Sequence, residues 1–341
     1  MQHRSVSLIN AALLAAMVSC TLIPLSVQLS GQTRGAANSA QAKAAWTPAR
    51  TPDGQPDLQG NWTNGTLTPL ERPAALGQKQ FYTEEELTRL QRQREAADHD
   101  QPPSRSGDPG TYNQFWWDEG GLLRQTSLIV DPPDGRIPAL TPEGLRRRAA
   151  RTAGGPDRAD GPEDRNLSER CITRGAPKLP GGYNNNFQIV QTPHYVAILQ
   201  EMIHEVRIIP LDGRPHSPAS VRGFLGDSRG RWEGQTLVVD TTNFNEKVGS
   251  TSYTCCGGAA DHLHIVERFT RTGERTIDYQ YTVEDPTTFT RAWTVSVPMR
   301  QIEGPLYEYA CHEGNYSMTG MLGGRRAEEK AAAAKRPGTG R

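Results

Sequence analysis

The feature that most constrains the fold is a pattern of alternating residue types between positions 261 and 316. In residues 277–283 and again in 293–299, every second side chain is apolar or aromatic. Neighbouring side chains on a strand point to opposite faces, so each run predicts a strand with one buried face and one exposed face. The stretch therefore predicts an antiparallel β meander.

The pattern continues on the N-terminal side of this meander. Strands are predicted at 187–190, 194–199, 206–211, 236–240, 265–270, 276–284, 291–299 and 306–311, whereas the charged run 227–233 predicts a turn network. Near the start, Gly60-Asn-Trp62 resembles the Gly-x-Trp entry strand of lipocalin-like barrels, in which the Trp closes one end. The predicted fold class is mainly β, an antiparallel meander closing into a lipocalin-like barrel or a sandwich.

Two short helices are predicted before the β region. Thr83 with Glu86 has the spacing of a capping box, and Pro142 suits the first turn of a second helix. The predicted organisation is a signal peptide and linker (1–44), a loop-rich part with two helices packed on the β domain (45–170), the antiparallel β domain (171–324) and a disordered tail (325–341).

The first residues predict export. A basic start precedes the apolar run 6–29, and small residues follow it. An imperfect lipobox makes Cys20 an alternative anchor for lipid, while Pro24 and the polar residues of the run disfavour a membrane span in the mature chain. With 38 basic and 38 acidic side chains there is no basic field for nucleic acid. We therefore expect a periplasmic or secreted protein.

Four further cysteines follow, which allow three disulfide pairings in an oxidising compartment. We favour Cys171 with Cys311. The adjacent Cys255 and Cys256 then form a vicinal pair or remain free thiols, because their ring departs from ordinary disulfide geometry.

Two stretches concentrate acid–base side chains. His204 shares strand parity with apolar neighbours and follows Glu201, and an imidazole in a partly apolar pocket with a carboxylate beside it shuttles protons near neutrality. His312 and Glu313 lie beside Cys311, where a disulfide would immobilise them. We therefore predict His204 and His312 as general acid or base, with Glu313 or Glu201 orienting them.

Aromatic residues of the meander are the predicted ligand contacts, since amphipathic strands line cavities in up-and-down barrels. They are Tyr279, Tyr281, Trp293, Tyr309 and Tyr316. No cofactor is predicted. A divalent metal held by His262 and His264 is the weaker alternative, because strand parity places Glu267 on the opposite face.

Several phrases of the chain are similar to those of one family. They are PDLQGNW (56–62), LIVDPPDGRIP (128–138), EMIH (201–204) with IIPLDGRPH (208–216), GDSRGRWEG (226–234) and YEYACHEGNY (307–316). Together they resemble a widespread family of exported bacterial proteins without an assigned function. The resemblance implies secretion and a shared fold.

These observations lead to one functional expectation with two rivals. We expect a barrel-like protein that acts on a small organic molecule by acid–base chemistry of the lyase, isomerase or hydrolase type. A non-catalytic binding protein of the periplasm has the same features. An envelope interaction module would instead use the aromatic patch Phe115-Trp116-Trp117.

Overall fold

The computed structural model describes residues 46–96, 117–118, 120–152, 159–250 and 261–335. The strands are β1 (Gly60–Thr63), β2 (Ile129–Asp131), β3 (Asn186–Gln191), β4 (Tyr195–Gln200), β5 (Glu205–Pro210), β6 (Asp227–Glu233), β7 (Thr236–Thr242), β8 (His264–Gly273), β9 (Thr276–Glu284), β10 (Trp293–Ser296) and β11 (Met299–Gln301). The α-helices are α1 (Glu84–Glu95), α2 (Pro142–Thr152) and α3 (Ser317–Lys335). The expected signal peptide, Cys20, Phe115, Trp116, Cys255 and Cys256 lie outside the described residues.

The strands form a single antiparallel sheet that nearly closes into a barrel. Its order is β5-β4-β3-β1-β11-β9-β8-β7-β6, with β10 beside β11 on the same edge of β9 and β2 paired to β10. The two ends of this order, β5 and β6, lie side by side. Gly230 on β6 makes the approach possible, since a Cβ there would lie 2.8 Å from the side chain of Ile209 on β5. The expectation of a mainly β, barrel-like fold is confirmed.

Large aromatic side chains fill the interior, as the alternation predicts. Trp62, Tyr281 and Trp293 are each at most 1% exposed. The Trp62 indole donates a hydrogen bond from Nε1 to the carbonyl of Leu58 at 2.9 Å, and the Arg271 guanidinium lies 5.4 Å from its ring centre. Burying side chains of this size contributes about 1.5–3 kcal/mol each, so these three aromatics are a main source of the barrel's stability.

Helices α1 and α2 begin where the sequence predicts, and the helices lie outside the sheet. At α1 the Thr83 hydroxyl accepts from the Glu86 amide at 3.2 Å, and the Thr83 amide donates to the Glu86 carboxylate at 2.8 Å, which completes the capping box. At the C-terminus, α3 runs from Ser317 to Lys335. The first part of the segment expected to be disordered is therefore helical, and residues 336–341 lie outside the described part of the chain.

Three local predictions differ from the structure. Residues 227–233 form strand β6, not a turn network, because its inward side chains include the small Ser228 and Gly230, which carry no apolar signal. The predicted strand 291–299 is two strands, β10 and β11, separated at Pro298, whose nitrogen has no hydrogen to donate. Residues 306–311 form no strand, because past β11 the backbone leaves the sheet and has no neighbouring strand to pair with.

Candidate functional site

A large open cleft lies where the C-terminal segment crosses the end of the barrel. Its volume is about 840 Å³, within the range of clefts that take small organic ligands. Three kinds of side chain dominate its described lining: the carboxylates Asp118, Glu169, Glu201, Glu308 and Glu313, the aromatics Trp117, Tyr183, Tyr307 and Tyr309, and the amides Asn184, Asn186 and Asn315. Because this lining includes no lysine or arginine, the cleft favours neutral or cationic molecules over anions.

Glu201 belongs to the floor of this cleft. It follows the last residue of β4 and is only 4% exposed. Its amide donates to the Asn186 carbonyl at 3.0 Å, and the Asn186 side-chain amide donates to Glu201 Oε2 at 2.8 Å. The strand pair β3–β4 therefore holds this carboxylate in one position while its residue borders the cleft.

The outer wall of the cleft is residues 307–315 of the segment after β11, and three contacts attach this part to the rest of the domain. The predicted disulfide between Cys171 and Cys311 is present, with a Cα–Cα distance of 5.8 Å. The Asn315 amide donates to the Cys171 sulfur at 3.3 Å, and His204 Nδ1 lies 3.1 Å from the Tyr309 carbonyl. Since a carbonyl only accepts, His204 donates in this contact. These attachments hold Tyr309 and Glu313 beside the cleft.

The structure brings some of the predicted acid–base residues together and separates others. Glu201 and Glu313 both line the cleft. His204 is exposed, as are Val206 and Ile208 on the same face of β5, so the apolar face from which a pocket was inferred points to solvent. That pocket prediction is wrong. His312 is exposed and is not part of the lining.

The predicted aromatic ligand contacts also fall in different places. Tyr309 lines the cleft. Tyr279, Tyr281 and Trp293 are buried in the barrel core, and Tyr316 is 81% exposed on the surface. The barrel interior next to Tyr279 contains a cavity of only about 20 Å³, which is room for about one water molecule. The aromatics of the meander therefore pack the core in this structure, and the space for a ligand is the cleft.

A polar cluster inside the barrel was not predicted. The Arg207 guanidinium pairs with both oxygens of Glu267 at 2.5 and 2.8 Å, and the Tyr279 hydroxyl donates to the same carboxylate at 2.7 Å. Burial opposes the charge of Arg207, but the Glu267 carboxylate outweighs it and raises the pKa of Arg207. Burial, together with Glu267, raises the pKa of Tyr279 well above its ordinary value.

A sequence signal for this cluster exists. Glu267 stands between Ile265 and Phe269 on the apolar face of β8, and Arg207 has the same parity as the buried Ile209 on β5. A charge on an apolar face is costly unless it is paired. Two such charges of opposite sign predict a buried ion pair. Strand parity had separated Glu267 from the two histidines, but it had not been extended to pair Glu267 with Arg207.

Lys178 and Glu205 complete the interior set. Lys178 is 3% exposed, and burial lowers the pKa of its amine to about 7. Burial likewise raises the pKa of the Glu205 carboxyl, against hydrogen bonds that favour its ionised form. Both residues line the small interior cavity. No sequence motif marks Lys178, since the fold alone makes it buried.

A chain of histidines and carboxylates crosses the outer face of the sheet. It runs Glu284–His264–Asp240–His216–Asp227, with ring nitrogen to carboxylate oxygen distances of 2.9–3.0 Å at all four contacts. Burial lowers the pKa of His264, but Asp240 and Glu284 outweigh it and the net pKa is raised. Both nitrogens of His264 are thus engaged by carboxylates, which stabilises its charged form.

This arrangement bears on the metal alternative. Among the residues that the structure describes, no group of three or more His, Cys, Asp or Glu side chains is placed to hold a metal ion. His262 lies two residues before β8 and outside the chain of contacts, and Cys255 and Cys256 belong to the segment 251–260 that is not described. The described geometry supports a hydrogen-bonded charge network here.

Two further findings concern the whole chain. No helix in the described ranges is both long and apolar enough to cross a bilayer. No protein-family model, curated protein or solved structure matches the chain. The assignment of a function therefore depends on the cleft and the interior cluster themselves.

Proposed function

We propose that this protein is exported and binds a small neutral or cationic organic molecule in the acidic cleft, where Glu201 acts as general acid or base. The observation that carries the proposal is the buried Glu201 carboxylate, held by Asn186 at 2.8 Å, on the floor of an 840 Å³ cleft. A fixed carboxylate beside a space of ligand size is what proton transfer to or from a bound molecule requires.

The charges around the cleft support the class of ligand. Five carboxylates border it, and burial raises the pKa of one of them, Asp118. Trp117, Tyr307 and Tyr309 supply aromatic faces on which a cationic group or an apolar ring packs favourably. Glu169 is already paired with Arg165, and the other carboxylates repel an anion, so anionic compounds should bind more weakly.

Export is supported by the disulfide. Disulfides persist in oxidising compartments and are rare in the cytosol, and Cys171–Cys311 holds one wall of the cleft. The basic and apolar start of the chain predicts the same destination. Expression with its own leader should deliver the chain to the periplasmic fraction, and recovery only from the cytosol would contradict this part of the proposal.

The test of the cleft begins with a metabolite library divided into cationic, neutral and anionic sets, with thermal shift as the readout. A ligand at 100 times its Kd stabilises the fold by about 2.7 kcal/mol. Hits should come from the first two sets, and the cationic hits should weaken in Glu308→Gln, which removes one cleft charge. The control Glu303→Gln, on the same segment but outside the cleft lining, should bind as wild type.

Conversion of each hit to product, monitored by NMR, distinguishes catalysis from binding alone. Glu201→Gln should lower kcat by about 10²–10⁴, the usual contribution of a positioned acid or base, with little change in binding. Unchanged turnover in this variant contradicts the role of Glu201. If every hit binds without being converted, the protein is a non-catalytic binding protein, the reading favoured by the exposure of His204 and His312 outside the cleft lining. Hits confined to anions contradict the proposed ligand class.

A further inference from the structure

Lys178 is the only buried lysine among those that the structure describes. Lys79 is partly exposed, and Lys247, Lys330 and Lys335 are exposed. Lysine is almost never buried unless a carboxylate pairs with it. Within the described ranges, no carboxylate oxygen lies within 4.0 Å of the Lys178 amine, so this usual compensation is missing.

A neutral amide holds the amine in place. Lys178 Nζ donates to Asn185 Oδ1 at 3.0 Å, and the Phe187 ring centre lies 6.0 Å away. Asn185 itself is fully buried, and its side-chain amide donates to the carbonyls of Asp118 and Gly181 at 2.7 and 2.8 Å. The lysine is therefore held by a rigid acceptor that carries no charge, which leaves its protonated form without an ionic partner.

The position of the amine is between two spaces. Lys178 lines the interior cavity together with Glu205 and Arg207. Its acceptor Asn185 also donates to the carbonyl of Asp118, which belongs to the cleft lining, so a single side chain links the amine to the cleft. Burial lowers the pKa of the amine most, Arg174 lowers it further, and Glu201 and Asp118 oppose these effects, with a result of about 7. A substantial fraction of the amine is therefore neutral near pH 7.

We propose that Lys178 is a nucleophilic amine that condenses with small aldehydes or ketones entering from the cleft. The amine nitrogen bonds to the carbonyl carbon, and the carbonyl oxygen leaves as water with the two protons of the amine, which gives an imine. No oxidant, reductant or cofactor is needed for this step. Neutral amines in desolvated sites are the form of lysine that performs this chemistry.

The inference adds a covalent activity to the proposed function. It rests on that function in one respect only, namely that small molecules reach Lys178 through the cleft. The cavity beside Lys178 is small, so the reacting carbonyl group should belong to a compact molecule. Glycolaldehyde, which is neutral and has two carbons, is a suitable probe.

The experiment is reductive trapping. The full chain is incubated with glycolaldehyde and cyanoborohydride over pH 5–10, and the modified lysines are quantified by peptide mass spectrometry. At pH 7 the neutral fraction of Lys178 exceeds that of an ordinary lysine with a pKa near 10.4 by on the order of 10³. Lower intrinsic reactivity and restricted access reduce this advantage, and we expect Lys178 to be labelled at least about tenfold faster than Lys79 or Lys247.

The pH profile and two variants decide the outcome. Labelling of Lys178 should rise through a midpoint near pH 7 and then level off, whereas labelling of Lys79 should rise up to pH 10. Lys178→Met should lose the fast label and Lys247→Met should keep it. If Lys178→Met does not fold, the wild-type profile decides alone. Labelling of Lys178 no faster than Lys79, or only in urea, overturns the proposal.

Glu201→Gln separates the two proposals. If the acid–base role of Glu201 is wrong but the amine is reactive, this variant keeps both turnover of cleft ligands and fast labelling of Lys178. If the amine is inert but the cleft is catalytic, the variant loses turnover while Lys178 in the wild type remains unlabelled. Each result refutes one statement without the other.

Discussion

Replacement of Glu267 by Leu is the perturbation for which the structure supports the largest effect. The wild-type carboxylate is fully buried and accepts from both Arg207 and Tyr279. In the variant the Arg207 charge stays inside the barrel without a partner, and removal of one member of a buried ion pair costs about 3–5 kcal/mol. The Tyr279 hydroxyl also loses its acceptor, which costs about 1–3 kcal/mol.

Because the two losses share one site, they are not fully additive, and we expect destabilisation of about 4–6 kcal/mol. The measurement is urea unfolding monitored by tryptophan fluorescence. At about 2–4 °C per kcal/mol for a large domain, the melting temperature should fall by roughly 8–24 °C.

A double variant shows whether the loss comes from the unpaired charge. In Arg207→Met/Glu267→Leu both charges are gone, and apolar replacements of buried pairs are often neutral or stabilising. The double variant should therefore be more stable than Glu267→Leu alone. Arg268→Leu is the matched control, since its side chain on the same strand pairs with Glu233 on the surface, where such a pair adds little. If Glu267→Leu costs no more than Arg268→Leu, or if the second substitution restores nothing, the reasoning is refuted.

Three further predictions concern other parts of the molecule. Cys171→Ser/Cys311→Ser should lower the free energy of unfolding by about 2–4 kcal/mol, as measured by urea unfolding. The double substitution also releases the wall of the cleft, so the affinity for a cleft ligand should fall. Unchanged affinity would show that other contacts hold the wall. Because the folded pKa of His264 is raised, its stabilising contribution is complete below an unfolded pKa of about 6.5 and is lost as the pH rises through the folded value. His264→Gln should therefore lose less stability than wild type between pH 6 and pH 9 in urea unfolding, and equal slopes would contradict the network. Thr83→Ala should weaken α1 by about 0.5–2 kcal/mol, seen as faster amide exchange confined to that helix, whereas Thr83→Ser should retain most of the protection.

Much of the fold follows from local chemistry. The period of two in β9 and β10 reports directly which side chains are buried, because a strand presents alternate residues to the core. The capping box of α1 needs only Thr83 and Glu86 at the right spacing. Strand β6 was not predicted because the side chains at its inward positions are small. A buried small residue adds nothing to the apolar pattern of the sequence.

The candidate site followed from the sequence only in part. Glu313 and Tyr309 reach the cleft because the predicted disulfide ties the last segment to the region before β3, whereas Glu201 reaches it at the end of β4. His204 was misplaced because its parity partners Val206 and Ile208 lie on the exposed face of β5. Apolar residues on an exposed strand face give the same period-two pattern as those on a buried face, and only the assembled sheet distinguishes the two.

The alternation of residues by itself determined an antiparallel, mainly β chain, and the cysteine spacing and oxidising context led to the favoured disulfide. Only the tertiary structure decided what those elements enclose. Arg207 and Glu267 are 60 positions apart, and Lys178 comes within electrostatic range of Glu201 and Asp118 only when separate strands and loops converge. Burial and pairing are properties of the assembled barrel, because the cost of a charge depends on what surrounds it in space and not on its neighbours along the chain.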